Sequence, residues 1–336
     1  MALPGVGGLS VKKLFWPVIW LCIVIIFVAT EYSRHSPSGG QPTNTTDSFV
    51  NITTSIADKI KAIPEYYDML TGSTQDDIKT NTTIKTAEIT TSIKAAVIIE
   101  TRRSAAIIPL ILHFSAVLGP DWPIVIYTSA ENFGSFSTSE ALLRHQANGR
   151  IVVRSLADGL YFPNWDSVSN FLTTPWMWRD LAPAEYLLVF QADSVLCSNS
   201  VRSVEDFFEW DLIGAPISPQ WGQGYNGGLS LRRRSTTLRV LQEYDWSKNP
   251  HPRYEDQWYY FRMKDLIARD IEELGESKIK LPSMEIARTF AVETIDYPSP
   301  LGLHQPTRWF PADKHMTPLD DWCPEYKLAR TDRINE

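Results

Sequence analysis

The run Glu185-Tyr186-Leu187-Leu188-Val189-Phe190-Gln191-Ala192-Asp193-Ser194-Val195-Leu196-Cys197 decides how the rest of the chain is read. Its first part is almost continuously apolar, the pattern of a strand buried on both faces of a sheet. A carboxylate then stands at Asp193, where such a strand leaves the sheet. Ligands of open α/β sheets gather at the carboxyl ends of the strands, so Asp193 is a candidate metal or substrate contact. A loop aspartate satisfied by backbone N–H groups is the plainer alternative. The flanking chain has to separate the two.

Upstream, residues 94–100 read as a buried strand ending in the polar run Thr101-Arg102-Arg103-Ser104. Residues 107–118 have helical character and stop at Gly119-Pro120, and residues 123–127 form a second strand. Helical spacing over 139–146 leads to a third strand at 150–154. An aromatic segment, 161–181, then precedes the fourth strand at 186–190. Downstream come a short helix at 204–210, a brief strand at 211–216, and a glycine-rich loop joined to an alternating strand over 222–232. Helices follow at 234–244 and from 254 towards 274, the second opened by Glu255 and Asp256. Strands alternating with helices predict an α/β domain with a mostly parallel, doubly wound sheet. No glycine-rich dinucleotide fingerprint or P-loop follows the first strand.

The N-terminal part has a different character. Residues 14–30 carry no charge and sit at the short end of the roughly 17–25 residues of a spanning helix. They lack a convincing cleavage site, which favours an uncleaved signal anchor. Lys12 and Lys13 precede the span, while Glu31 and Arg34 cancel after it. The positive-inside rule therefore predicts a cytosolic tail at 1–13 and a type II topology, with everything after Thr30 lumenal. So short a span suits the thinner membranes of the endoplasmic reticulum or Golgi. Residues 31–92 are rich in Ser, Thr, Asn, Pro and Gly and read as a flexible stem, with glycosylation sequons at Asn44, Asn51 and Asn81. The domain is expected over 93–325 and a tail over 326–336.

A net charge of −7 excludes a general nucleic-acid binder, which needs a basic face for phosphates. Of three cysteines, Cys22 lies in the apolar span, leaving Cys197 and Cys323 as the one pair available within the domain. Whether they are close enough to join stays open. No CxxC or Cys/His cluster offers a structural zinc site.

Asp193 gains weight from Asn226-Gly227-Gly228, Glu255-Asp256 and His304. Each follows an apolar segment, in a turn or at a helix start, and such positions gather on one edge of a parallel sheet. This ordered set resembles the nucleotide-sugar glycosyltransferases of the GT-A fold. Those enzymes carry an acidic metal motif after a central strand, a glycine-rich loop, an acid on a later helix and often a C-terminal histidine ligand. More narrowly, FQADSVLC (190–197), DLIGAP (211–216), GYNGGLSLRR (224–233), YEDQWYY (254–260) and GLHQP (302–306) resemble a group of glycosyltransferase-like domains of unknown function, known mainly from fungi. The resemblance covers about residues 93–312, and NGGLSLR and EDQW are its most specific blocks.

The resemblance implies that Asp193 and His304 hold a divalent cation against a nucleotide diphosphate, and an imidazole ligand suits Mn²⁺ better than Mg²⁺. Gln191 stands where the usual Asp-x-Asp motif has its first acid, and brings hydrogen bonds but no charge. Asp256 is the candidate general base, with Glu255 holding acceptor hydroxyls or supporting the loop. Acids at a helix start also have a plain electrostatic explanation. Asn226, Gly227 and Gly228 allow close backbone approach to a sugar, or form an ordinary turn. Arg102 is a candidate diphosphate contact, and Tyr225, Trp221 and Trp258 are candidates to stack on sugar faces. The expected activity is transfer of a sugar from a nucleotide-diphosphate donor to a hydroxyl of a glycan or glycoconjugate. The alternative is a noncatalytic lumenal carbohydrate- or nucleotide-binding protein with a degenerate site, for which Gln191 is the main support.

Overall fold

The decisive apolar run becomes the central strand of a mixed sheet. In the computed structural model, which describes residues 92–329 and residue 331, strands β1 (Lys94–Ile99), β2 (Ile124–Thr128), β3 (Ile151–Ser155) and β4 (Tyr186–Phe190) lie parallel in the order β3-β2-β1-β4. The expected anchor at 14–30, nearly all of the stem and the sequons at Asn44, Asn51 and Asn81 lie outside the described residues. Among the described residues no helix is long and apolar enough to cross a membrane.

Helices α1 (Ile107–Leu118), α2 (Ala130–Phe133) and α3 (Glu140–Ala147) connect the first strands, and α4 (Trp165–Leu172) and α5 (Pro175–Asp180) lead into β4. The continuous apolar character of β4 follows from its two covered faces. Leu188 and Phe190 face one core, where Phe114 of α1 stacks on Phe190 with ring centroids 3.9 Å apart. Leu187 and Val189 face the other, filled by Phe171 and Trp178.

The expectation of a mostly parallel, doubly wound sheet needs correction beyond β4. Strand β6 (Leu212–Pro216) and strand β7 (Tyr225–Arg233) complete the order β3-β2-β1-β4-β7-β6, and β7 runs antiparallel to both its neighbours. The reason is connection length. A parallel neighbour needs a crossover of about a dozen residues or more, and the loop 217–224 is too short for one. The reversal places the start of β7 beside the end of β4, where Gln191 N–H donates to Gly228 O at 2.8 Å.

Helix α6 (Arg234–Glu243) follows β7, and α7 (Glu255–Leu274) then packs on the sheet through Trp258, Tyr259, Met263 and Leu266. Acidic residues in its first turn suit the helix dipole, and Gly275, at φ 82°, ends it by donating its N–H to Ile271 O. After α8 (Met284–Phe290), a small second sheet forms from β5 (Ser194–Leu196), β8 (Ala291–Val292) and β9 (Gly302–His304) in the order β5-β9-β8. These strands are too short to leave a periodic signature in the sequence.

Helix α9 (Leu319–Trp322) precedes Cys323, which forms a disulfide with Cys197 across 126 residues. The bond sits in a small core with Val195, Val292, Leu303 and Leu319. It holds residues 324–329 against the domain, and Tyr326 and Lys327 share a cavity of about 300 Å³ with Asp193. Closing so long a loop restricts the unfolded chain, so replacing both cysteines by serine is expected to lower unfolding free energy by about 2–5 kcal/mol, read from denaturant unfolding under non-reducing conditions.

Candidate functional site

The site grows from the turn that ends β4. Ser194 returns its N–H and hydroxyl to Gln191 O at 3.1 and 2.7 Å, so Gln191-Ala192-Asp193 forms a tight link into β5. The β5–β9 register then pairs Ser194 with His304 and lets Gln305 N–H donate to Asp193 O at 2.7 Å. Two residues 111 positions apart are thereby brought together. His304 Nε2 lies 3.4 Å from Asp193 Oδ1, and its Nδ1 lies 3.5 Å from Glu293 Oε1.

The imidazole is 1% exposed, and neither ring nitrogen is aligned for a hydrogen bond with its carboxylate. Burial opposes a charge here, yet the carboxylates of Asp193 and Glu293 outweigh it and push the His304 pKa up to about 10. For Asp193, burial works against the charged form but His304 and the 2.9 Å hydrogen bond from Gln305 Nε2 prevail, holding the carboxyl below its ordinary value. Gln305 is held at φ 48°, an unfavourable conformation for a residue with a side chain, directly beside this pair.

Next to the imidazole the chain has no room for side chains. A Cβ on Gly228 would fall 2.2 Å from His304 Nε2, and one on Gly227 would fall 2.6 Å from Glu255 Oε1. Glycine at both positions is a packing requirement, a third reason beside the close approach to a sugar and the ordinary turn that the sequence suggests.

Arg232 and Glu255 form a buried bidentate pair at 2.9 and 3.0 Å, with the guanidinium over the rings of Trp178 and Tyr259. Both Glu255 oxygens are committed to it. Of the roles expected of Glu255, this geometry matches support of the loop: it ties the start of α7 to β7, while also lining the cleft. Asp256 differs. It is half-buried, accepts from Gly227 N–H at 2.9 Å and Gln257 N–H at 2.6 Å, and faces the cleft. Burial first, and then the neighbouring Glu255 charge, push its pKa up to about 7 against those N–H donors and Arg232.

A cleft of about 300 Å³ brings together Gln191, Asn226, Gly227, Gly228, Asp256 and His304. Asp193 opens instead onto two adjoining cavities, one of about 40 Å³ that it shares with Gln191 and Arg102. The Asp193–His304 contact is thus the seam between cavities, with Gln191 reaching both the cleft and the smaller one. Arg102 lies at this edge as expected, but its guanidinium is folded onto Glu100 at 3.0 and 2.8 Å. Tyr225 is a correction: it is 2% exposed, with its hydroxyl donating to Pro282 O and its ring against Tyr260, and cannot stack on a sugar. Trp258 likewise belongs to the core.

Sequence reasoning missed Glu293, Gln305 and Arg308. Glu293 did leave a signal, since an acid following the apolar Phe290-Ala291-Val292 repeats the pattern of Asp193 after β4. Arg308 donates to Gln305 Oε1 at 2.5 Å and lines both the cleft and the cavity beside Asp193.

Asp193 and His304 are close enough to share a cation. Two ligand atoms about 2.1 Å from an octahedral ion and at right angles lie about 3 Å apart, so a small shift of the 3.4 Å Asp193–His304 pair suffices. Glu293 stands behind the ring at Nδ1, where a carboxylate orients a ligating imidazole. Among the described residues no group of three or more His, Cys, Asp or Glu could hold a metal unaided. A cation held by Asp193 and His304 would need further oxygens from a ligand, such as those of a diphosphate.

Two outcomes follow for the protein without metal. Gly228→Ala should cost about 1–3 kcal/mol of stability by overpacking against His304, measured by chemical unfolding. The His304 imidazolium has its pKa raised from 6.5 to about 10, so its stabilisation is complete below pH 6.5 and is lost as pH rises through about 10. Unfolding free energies across that range should decline, and His304→Ala should flatten that decline.

Residues 150–304 match a family described as a protein of unknown function (DUF5672), a span that runs from just before β3 to the end of β9. No curated protein matches the chain. Among solved structures it is similar to the glycosyltransferase GlyE of Streptococcus pneumoniae TIGR4, with 12% identity over 66% of this chain and 57% of that one and a TM-score of 0.35. It is also similar to the mannosyltransferase PcManGT of Pyrobaculum calidifontis, solved with GDP-Man and Mn²⁺, with 12% identity over 55% and 56% of the two chains and a TM-score of 0.34. S. aureus TarS 1–349 matches with 12% identity over 51% and 54% and a TM-score of 0.32. The chain spans a little over half the length of these proteins. At such scores the chemistry has to be read from the site itself.

Proposed function

We propose that the domain is a divalent-metal-assisted glycosyltransferase, moving a sugar from a nucleotide-diphosphate donor to a hydroxyl of a glycan or glycoconjugate. One observation carries this reading: Asp193 and His304 lie 3.4 Å apart, with Glu293 behind the imidazole and Asp256 in the same cleft as His304. Mn²⁺, or Mg²⁺ in its place, would be held by Asp193 Oδ1 and His304 Nε2 and would supply Lewis-acid stabilisation of the departing diphosphate. Gln191 contributes hydrogen bonds where a second acid is commonly found. The glycine pair lets the sugar approach the backbone beside His304. Asp256 accepts the proton of the acceptor hydroxyl, in keeping with a pKa near the working range of a general base.

The same proposal includes a type II, single-span protein of the Golgi or endoplasmic reticulum membrane, with the anchor at 14–30, a glycosylated stem and a lumenal domain. The Cys197–Cys323 disulfide suits an oxidising compartment. A second reading, a noncatalytic lumenal carbohydrate- or nucleotide-binding protein, is favoured by one feature: the uncharged Gln191 beside the single acid Asp193.

Incubation of the purified protein with a panel of nucleotide sugars and Mn²⁺ tests the proposal. Release of the nucleoside diphosphate is expected, and absence of binding, donor hydrolysis and transfer across the panel would overturn it. Saturable sugar binding without metal dependence or turnover would point to the second reading. Asp193→Ala should weaken Mn²⁺-dependent nucleotide binding at least about tenfold, by calorimetry, whereas Asp256→Asn should retain binding and lose about 10²–10⁴-fold in transfer. A base must be deprotonated to act, so the rate should rise with pH through about 7 in wild type. A cation at His304 must displace a proton, so metal-dependent nucleotide binding should also tighten with rising pH.

A further inference from the structure

Trp221 is 54% exposed, yet its loop is tightly fixed. Its N–H donates to Ser218 O at 2.8 Å, and Gly222 and Gly224 follow at φ 141° and 95°. A Cβ on Gly222 would fall 2.0 Å from Gln257 Oε1, and one on Gly224 would fall 2.7 Å from Cγ of Tyr260. The two glycines press the loop 217–224 onto the first turns of α7, the turns that carry Asp256. A large indole is thus held out of the core and into the cleft, where a second indole, Trp309, meets it at 5.1 Å between ring centroids and a 47° tilt. Trp309 is placed by Arg308, 4.9 Å over its ring, and by its N–H towards Glu293, but core packing does not account for the exposed Trp221, because burying an indole is favourable and exposing one is not.

The polar groups of the cleft complete the picture. The Gln191 side-chain amide makes no hydrogen bond among the described residues, and Asn226 uses only its Oδ1, towards Gly228 N–H. Aromatic faces next to uncommitted amides and a carboxylate match one ligand chemistry well. A pyranose ring has an apolar C–H face that lies on an indole and a rim of hydroxyls that both donate and accept. We infer that Trp221 and Trp309 form the platform on which the acceptor lies, and that the acceptor presents a pyranose ring to it. Asp256 then stands in the same cleft to meet one of that ring's hydroxyls. The inference rests on the transferase reading only in naming the ring the acceptor; the binding itself needs neither nucleotide nor metal.

Saturation-transfer NMR titration of the purified protein, without nucleotide or metal, tests it. The probes are methyl pyranosides of glucose, galactose and mannose and the disaccharides built from them, with uridine, guanosine and an unglycosylated Ser/Thr peptide as controls. At least one saccharide should bind saturably. Trp221→Ala and Trp309→Ala should each weaken that binding at least about tenfold, equivalent to about 1.4 kcal/mol, and Trp221→Phe should restore most of it. Because Trp221 is largely exposed, its replacement leaves the fold intact. Binding of no saccharide, equal binding by Trp221→Ala, or Trp221-dependent binding of the nucleosides or the peptide instead would each overturn the inference. Failure of nucleotide-sugar turnover with saccharide binding intact would count against the transferase reading and leave the platform standing.

Discussion

A guanidinium and a carboxylate with almost no contact with water, Arg232 and Glu255, hold the functional half of this domain together. Arg232 belongs to the one reversed strand of the main sheet and Glu255 to the first turn of α7. Removing either partner from such a pair leaves an uncompensated buried charge, which typically costs about 3–5 kcal/mol. The pair fixes more than a distance. Gly227 packs against it, Asp256 follows it directly, and the loop carrying Trp221 rests on the same helix. A hydrophobic replacement of equal volume would fill the space, but would lose the fork geometry that sets the rotation of α7 about its axis.

Much of the architecture was legible because it is written in long runs. β4 and α1 were read with the bounds they have, since continuous apolar character and a Gly-Pro stop leave little latitude. The reversal of β7 was not, because an alternating strand looks the same in either direction and its sense depends on what the preceding loop can span. The site was half legible. Asp193, Asp256 and His304 stand out as polar residues after apolar runs. Glu255 stands out for the same reason, but sequence does not reveal that Arg232 lies opposite and takes both its oxygens. Tyr225 carries an amphipathic side chain in a glycine-rich segment, yet strand alternation turns it inward. Glu293 and Gln305 belong to strands of two or three residues, or to their edges, where no periodicity exists to be read.

The electrostatics of the centre are those of one imidazole between two acids. With the ring protonated, one positive charge faces two acids, and that charge is what holds the half-buried Asp193 carboxyl below its ordinary value. A cation on Nε2 would replace that proton with a larger charge and leave Nδ1–H to Glu293. In that light Gln191 does not simply mark a loss: a carboxylate there would be a third acid around a single imidazolium.

The disulfide gives the end of the chain an unexpected standing. Cys197 lies only four positions after Asp193, and Cys323 is followed directly by the segment whose Tyr326 and Lys327 share a cavity with that acid. Residues 324–329 are thus stapled beside Asp193. One wall of the cavity beside Asp193 therefore depends on the redox state of a bond that lies outside that cavity.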